Sequence, residues 1–240
     1  METKNAIVIG ASSGIGAELS KVLTQNHYKV IASGRRTELL SDVRSFAPDL
    51  INYHFMDVKD LKSTKQTLEN LKSELGTIDL LVICAGTGDI NHELNSEIEL
   101  NTVDTNVLGF TNIATWAFNL FAEQGHGHLV GISSIAGIRG SRHAPAYNAS
   151  KAYQINYLEG LKQKAKKLKL PVYVTDIRPG FVDTDMAKGE GLFWVTPTAK
   201  AAKQIYNDIK NKRNTAYVSR RWELVAAVLS LIPEFLYTFL

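Results

Sequence analysis

Tyr147 and Lys151 stand four residues apart in the stretch Tyr-Asn-Ala-Ser-Lys, inside a helical pattern. That spacing places both side chains on one helix face, one above the other. A phenol of ordinary pKa, about 10, is a poor proton-transfer group at neutral pH. A close ammonium favours the phenolate and is expected to lower that pKa. The pair could then protonate a carbonyl oxygen or take the proton from an alcohol. A tyrosine and a lysine at this spacing also occur by chance in many helices, so neighbouring residues must carry the assignment. Ser133 and Ser134 close a strand-like run before Ile-Ala-Gly. A serine beyond a strand's carboxyl end can hydrogen-bond a substrate oxygen whose charge grows in the transition state. Asn106, in Asp-Thr-Asn-Val, reads by itself as a capping or helix-interrupting residue.

A second group of residues suits a phosphate. The first strand-like run leads into Gly10-Ala11-Ser12-Ser13-Gly14-Ile15-Gly16, and a helical pattern begins there. Glycines allow a sharp turn and close approach to a phosphate, while a helix start offers unpaired N–H groups and a positive dipole. The G-x3-G-x-G spacing is neither the G-x-G-x-x-G fingerprint nor a P-loop, since no Lys-Ser/Thr follows. A flexible turn with no ligand is the alternative. The second strand ends in Ser33-Gly34-Arg35-Arg36, with no acid for a ribose 2′-hydroxyl. A guanidinium at that place can bind a 2′-phosphate and stack on adenine. NADP(H) is therefore expected over NAD(H), against the alternative of two solvated surface charges.

These residues need a scaffold. Ala6–Gly10, Tyr28–Ser33, Ile51–Met56, Asp79–Cys84, Leu129–Ser133, Val172–Ile177 and Thr215–Val218 read as strands. Their nearly continuous apolar character suits parallel strands covered on both faces. Helical patterns at 14–26, 61–75, 96–123 (with a break allowed), 147–168 and 197–212 lie between them. The alternation implies right-handed βαβ units and an α/β fold, a doubly wound parallel sheet of about seven strands in three layers. One domain over 1–240 is expected, since no repeat, linker or composition break divides it.

Composition narrows the classes. The chain has 240 residues, 45% hydrophobic and 21% charged, with a net charge of +3. So small an excess argues against a nucleic-acid partner. One cysteine, Cys84, excludes a disulfide framework. His126 and His128 lack companion ligands, so no metal is expected. The five lysines of 162–169 read as a solvated helix face. The N-terminal residues show no targeting pattern, and a cytoplasmic location is expected.

Together these motifs resemble those of the classical short-chain dehydrogenases/reductases, from Ala6 to about Val218. Gly10, Gly14 and Gly16 correspond to the family's glycine motif. Asp57 and Val58 correspond to its adenine-contacting pair. Ala85 and Gly86 correspond to most of its Asn-Ala-Gly segment. Asn106, Ser134, Tyr147 and Lys151 correspond to its catalytic tetrad, and Pro179, Gly180, Val182 and Thr184 to the segment holding the nicotinamide end. The resemblance implies that Tyr147 exchanges the proton and Ser134 polarises the substrate oxygen. Lys151 would tune Tyr147 and bind the nicotinamide ribose, and Asn106 would hold a relay water. Ser134 is chosen over Ser133 because the family's serine lies thirteen positions before its tyrosine. The implied cofactor contacts are Gly10, Ser12, Ser13, Gly14, Ile15, Gly16, Arg35, Arg36, Asp57, Val58, Ala85, Gly86, Tyr147, Lys151, Pro179, Gly180, Val182 and Thr184. Ile9 and Cys84 depart from the pattern, at a usual threonine and a usual asparagine. A buried thiol there has no activating charge and is not expected to be a nucleophile.

The expected activity is NADPH-dependent interconversion of a carbonyl and an alcohol. The alternative is a catalytically silent NADP-binding regulator or scaffold, which has no need of a tuned tyrosine. Residues 185–196 are the expected substrate lid, with Gly189 and Gly191 as hinges and Leu192, Phe193 and Trp194 either covering a ligand or packing on the core. Fourteen of the nineteen residues from Trp222 to Leu240 are apolar, after Arg220 and Arg221. Pro233 and Glu234 interrupt them, so a membrane span is not expected. Burial on the lid or a partner subunit is favoured for 221–240 over peripheral membrane contact. A lipophilic small-molecule carbonyl or alcohol and a homodimer or homotetramer are the expected partners.

Overall fold

Strand β1 (Lys4–Ile9) explains the unbroken apolar runs. Ala6 and Val8 enter one buried cluster, while Ile7 and Ile9 enter another on the opposite face of the sheet. Successive residues of a strand point to opposite faces, so a strand covered on both sides must be apolar throughout. The computed structural model describes residues 3–187 and 192–238.

The chain continues through α1 (Gly14–Thr24), β2 (Tyr28–Gly34), α2 (Thr37–Ser45), β3 (Ile51–Phe55), α3 (Leu61–Leu75) and β4 (Leu80–Ile83). It then forms α4 (Ser96–Val103), α5 (Phe110–Gln124), β5 (Gly127–Ile132), α6 (Pro145–Leu168), β6 (Val172–Pro179), α7 (Thr198–Lys210) and β7 (Thr215–Val218). The strands form one parallel seven-stranded sheet in the order β3-β2-β1-β4-β5-β6-β7. Helices α1, α2 and α7 cover one face, and α3, α5 and α6 the other. The order reverses between β1 and β4, which opens a crevice beyond their carboxyl ends.

Three local features differ from or refine the sequence reading. Helix α2 is not signalled by periodicity, because only Leu40 and Val43 of it are buried. The long pattern from Ser96 is broken by a π-helical stretch, Asp104–Gly109. Gly109 there packs against the main chain at Val58, and a Cβ would come 2.7 Å from Val58 O. Helix α6 begins two residues early, at Pro145, whose missing N–H costs nothing in a first turn.

The apolar extension forms α8 (Arg221–Leu231) and a short α9 (Glu234–Tyr237). Trp222 and Ala226 are buried, whereas Leu224, Val228, Leu231 and Phe235 are exposed. The expected burial therefore covers only one side of this segment. Among the described residues no helix is long and apolar enough to cross a membrane.

Candidate active site

The crevice holds a cavity of about 620 Å³. Every site residue named from the sequence lines it except Asn106.

The glycine loop crosses its floor. Gly10 and Ala11 N–H groups donate to Ser33 O at 2.8 and 2.9 Å, which turns the chain out of β1. Gly10 has φ +85°, and a Cβ on it would strike the Ala85 main chain. A Cβ on Gly16 would strike Gly10 O. The loop is thus packed against main chain, that after β4 at Gly10 and its own at Gly16, leaving no space for side chains at these points. No side chain caps the first turn of α1, and no acid lies in it. Its N–H groups remain available to an anion. Arg36 reaches back over the loop, donating to Ser12 Oγ at 3.0 Å and Ser13 Oγ at 2.6 Å. Arg35 and Arg36 are both exposed at the cavity rim. This arrangement fits a dinucleotide phosphate group: a tight backbone cradle, an uncapped helix start and two cations.

The residues expected to transfer a proton also line the cavity. Ser133 and Ser134 diverge. Ser133 Oγ donates to Asp176 Oδ1 at 2.5 Å, and is spent on the sheet. Ser134 begins a short 3-10 turn, Ile135–Ile138, where its Oγ accepts from Ala136 N at 3.1 Å, beside the Tyr147 hydroxyl. Tyr147 packs against Gly88 so closely that a Cβ there would enter the ring. Lys151 Nζ stands 5.8 Å from the centre of the Tyr147 ring. It donates to Ile132 O at 3.0 Å and to Gln154 Oε1 at 2.9 Å.

The electrostatics correct one expectation. Burial raises the Tyr147 pKa, with the nearby Ser134 hydroxyl opposing it, whereas the neighbouring lysine was expected to lower it. The same burial pushes Lys151 down to about 8, against the pull of Asp176. Desolvation disfavours each charged form, phenolate and ammonium alike. Cys84 is pushed up to about 12 by burial, so its thiol stays protonated.

Asn106 is fully buried behind the cavity wall. Its side chain accepts from Thr87 N–H at 2.9 Å and donates to Thr87 O at 2.7 Å and Ser150 Oγ at 2.9 Å. It ties the loop after β4 to α6. Its main-chain oxygen accepts from Gln154 Nε2 at 2.9 Å. A side-chain amide thus joins Lys151 to the Asn106 main chain.

Pro179 ends β6, and Gly180 N–H donates to Val218 O at 2.7 Å. Val182 pairs with Thr196, and the Thr184 methyl would meet a Cβ on Gly14 at 3.2 Å. Asp57 Oδ1 accepts from Lys59 N–H at 3.1 Å, at the end of β3, and Val58 is buried beside it. Ala85 N–H donates to Ile9 O at 2.9 Å, while Gly86 faces Lys151 Nζ.

The expected lid and the apolar tail meet beside the cavity. Phe193 and Trp194 are about half exposed, and their rings gather on Trp222 at 5.1 and 5.9 Å. Leu192 reaches the cavity. The expected lid residues thus divide, Leu192 lining the cavity and Phe193 and Trp194 packing on Trp222. The hinge glycines, Gly189 and Gly191, lie outside the described residues. Sequence reasoning missed Gly88, Arg139, Gln154, Trp222, Leu229 and Tyr237. All but Gln154 line the cavity. Among the described residues no cluster of metal-binding side chains is present.

Residues 4–192 match the family model described as short chain dehydrogenase, and the chain belongs to that family. It is 35% identical over 191 residues to an uncharacterized oxidoreductase of Myxococcus xanthus, covering 78% of this chain and 75% of that one. It is 30% identical over 190 residues to the 3-oxoacyl-[acyl-carrier-protein] reductase of Bos taurus, covering 77% and 78%. A serine dehydrogenase solved in closed form with NADP+ superposes with a TM-score of 0.80 at 26% identity, over 89% of this chain and 93% of that one. The fold and the membership make this chain an oxidoreductase with a Rossmann-type nucleotide-binding sheet.

Proposed function

We propose that the protein is an NADP(H)-dependent reductase that interconverts a lipophilic ketone or aldehyde and its alcohol. The observation that carries this reading is the meeting of Ser134, Tyr147 and Lys151 at one end of a cavity whose other end is the glycine cradle with Arg35 and Arg36.

When bound, the nicotinamide dinucleotide supplies or accepts the hydride. The chain's residues do the rest. The turn through Gly10, Gly14 and Gly16 would let the phosphates approach the free N–H groups at the start of α1. Arg35 and Arg36 favour a 2′-phosphate over a bare ribose hydroxyl. Ser134 Oγ–H and Tyr147 Oη–H both donate to the substrate oxygen, which fixes the carbonyl and draws charge onto that oxygen. Tyr147 then gives up its proton to form the alcohol. Burial keeps Tyr147 protonated before the reaction, and the alkoxide-like oxygen that hydride addition would create is basic enough to take that proton. Lys151 stabilises the phenolate that remains. Ile90, Leu192, Trp222 and Leu229 give the substrate end an apolar wall, which supports a lipophilic substrate over a small polar one. The reductase relative from Bos taurus, named for a 3-oxoacyl group, supports a carbonyl substrate in the same way. The exposed apolar side of α8 supports a homo-oligomeric contact as the use of this surface.

The test is oxidation of NADPH, and separately of NADH, with carbonyls of graded chain length and ring size. NADPH should be preferred, and turnover should rise with apolar size. Tyr147→Phe should lower kcat by about a hundred-fold or more while NADPH still binds. Undiminished turnover in that variant would remove the general-acid assignment. Tight NADPH binding with no turnover on any carbonyl would favour a silent nucleotide-binding regulator.

A further inference from the structure

Gln154 has no exposed surface and lies one turn beyond Lys151 on α6. Its amide makes two hydrogen bonds at once: Oε1 accepts from Lys151 Nζ at 2.9 Å, and Nε2 donates to Asn106 O at 2.9 Å. Chemistry fixes the orientation of this amide. An ammonium can only donate and a carbonyl can only accept, so oxygen must face Lys151 and nitrogen must face Asn106. Ile132 O takes a second N–H of the ammonium. The third is left for the cavity that Lys151 lines.

The elements packed around Lys151 offer it no close counter-ion among the described residues. Cys84, from the end of β4, is a thiol held protonated by burial. Tyr147, one turn earlier on α6, is a phenol held protonated in the same way. Asp176 on β6 is engaged by Ser133 and by Arg178, whose Nε lies 2.7 Å from Asp176 Oδ2. The ammonium is therefore held by two neutral acceptors, the Ile132 carbonyl and the Gln154 amide. A buried cation held this way depends strongly on each of them.

We propose that Gln154 is a positioning residue for Lys151: its amide clamps the ammonium to the Asn106 main chain, aims the third N–H into the cavity and keeps Lys151 charged. A primary amide passes a proton along only through its high-energy imidic form. The clamp thus holds a charge in place and does not conduct a proton toward Asn106. The kinetic part of this inference rests on the proposed reductase activity, but the ionisation of Lys151 does not.

Two variants of the full chain test it. Gln154→Met keeps length and apolar bulk and removes the acceptor. Gln154→Glu keeps an acceptor, charged or neutral. In protein labelled with 13Cε-lysine, the Lys151 resonance is assigned by its loss in Lys151→Met, and its titration is followed by NMR. Lys151 should titrate about one unit lower or more in Gln154→Met, the effect of losing one hydrogen bond to a charged group. It should titrate at or above the wild-type value in Gln154→Glu. The alkaline limb of kcat for NADPH-dependent carbonyl reduction should move down with it in the Met variant. A titration and pH profile unmoved in a folded Gln154→Met protein would overturn the proposal. Should the Met variant fail to fold, a Lys151 titration below wild type in Gln154→Glu would overturn it equally. Absence of turnover in the wild type would overturn the reductase reading alone, because the NMR titration still decides the role of Gln154.

Discussion

Trp222 of α8 packs directly on Gly180, where β6 ends beside the cavity. A Cβ on Gly180 would fall inside the indole. The indole is buried and packs edge-on to Phe181, with ring centres 5.3 Å apart. Gly180→Ala should therefore force α8 outward. Overpacking of this kind costs about 1–3 kcal/mol. Urea unfolding should show the loss, and tryptophan emission should move to the red as Trp222 meets water. Wild-type stability and emission in the variant would contradict the contact.

The far end of the same segment is latched to the loop that follows Ser134. Arg139 Nη2 donates to Ile232 O at 3.0 Å, and its guanidinium lies 4.4 Å from the centre of the Tyr237 ring. Tyr237 Oη–H donates to Gly140 O at 2.7 Å. Arg139→Leu removes the guanidinium contacts and keeps much of the bulk. Amide hydrogen exchange in 221–238 should quicken about ten-fold, which corresponds to one lost hydrogen bond to a charged group. Unchanged protection would show that the Trp222 anchor holds the segment unaided.

Gly88 offers a test of Tyr147 from outside the proton-transfer machinery. A Cβ at position 88 would occupy the Tyr147 ring. Gly88→Ala should tilt the phenol and lower kcat about ten-fold or more, as small misplacements of reacting groups do. NADPH affinity should stay within about two-fold, since a lost phosphate contact would be needed to move it further. Equal losses in kcat and NADPH affinity would mean that the whole loop had shifted.

What could be read from the sequence was local or repetitive. Parallel strands covered on both faces write themselves as unbroken apolar runs, as in Ala6–Ile9. Gly10, Gly14 and Gly16 mark a tight strand-to-helix turn through their spacing, and Tyr147 and Lys151 share a helix face for the same reason. The remainder depends on depth and on distant partners. Spacing puts an ammonium near Tyr147 but says nothing of the burial that raises its pKa and lowers that of Lys151. Gln154 looks like any polar helix residue until Asn106 O is placed 2.9 Å from it. Trp222 against Gly180 and Arg139 against Tyr237 join segments far apart in the chain, with no periodicity to announce them.

Arg36 tests the cofactor reading. It spans Ser12 and Ser13 of the glycine loop while remaining exposed at the cavity rim. A guanidinium so held is ordered in advance for a 2′-phosphate. Arg36→Ala should raise KM for NADPH about ten-fold and leave KM for NADH within about two-fold, the loss of one charge-assisted hydrogen bond. Equal weakening toward both dinucleotides would assign Arg36 to the loop's own structure and leave Arg35 as the discriminating cation.

His128 predicts how stability depends on pH. It is buried on β5, where Nε2 and Thr175 Oγ1 are 2.7 Å apart. Burial, helped by the charge of Lys212, lowers its pKa from 6.5 to about 4. Between those values the unfolded chain binds a proton that the folded chain refuses. Stability therefore falls as pH drops through that window. The loss from this one group should reach about 3 kcal/mol by pH ~4. His128→Leu removes the proton-binding site and keeps the position apolar. Urea unfolding of wild type and variant at several pH values should show a difference in stability that changes by about that amount across the window. A difference that stays constant with pH would mean that His128 is already protonated in the fold, hydrogen-bonded to Thr175 as a cation.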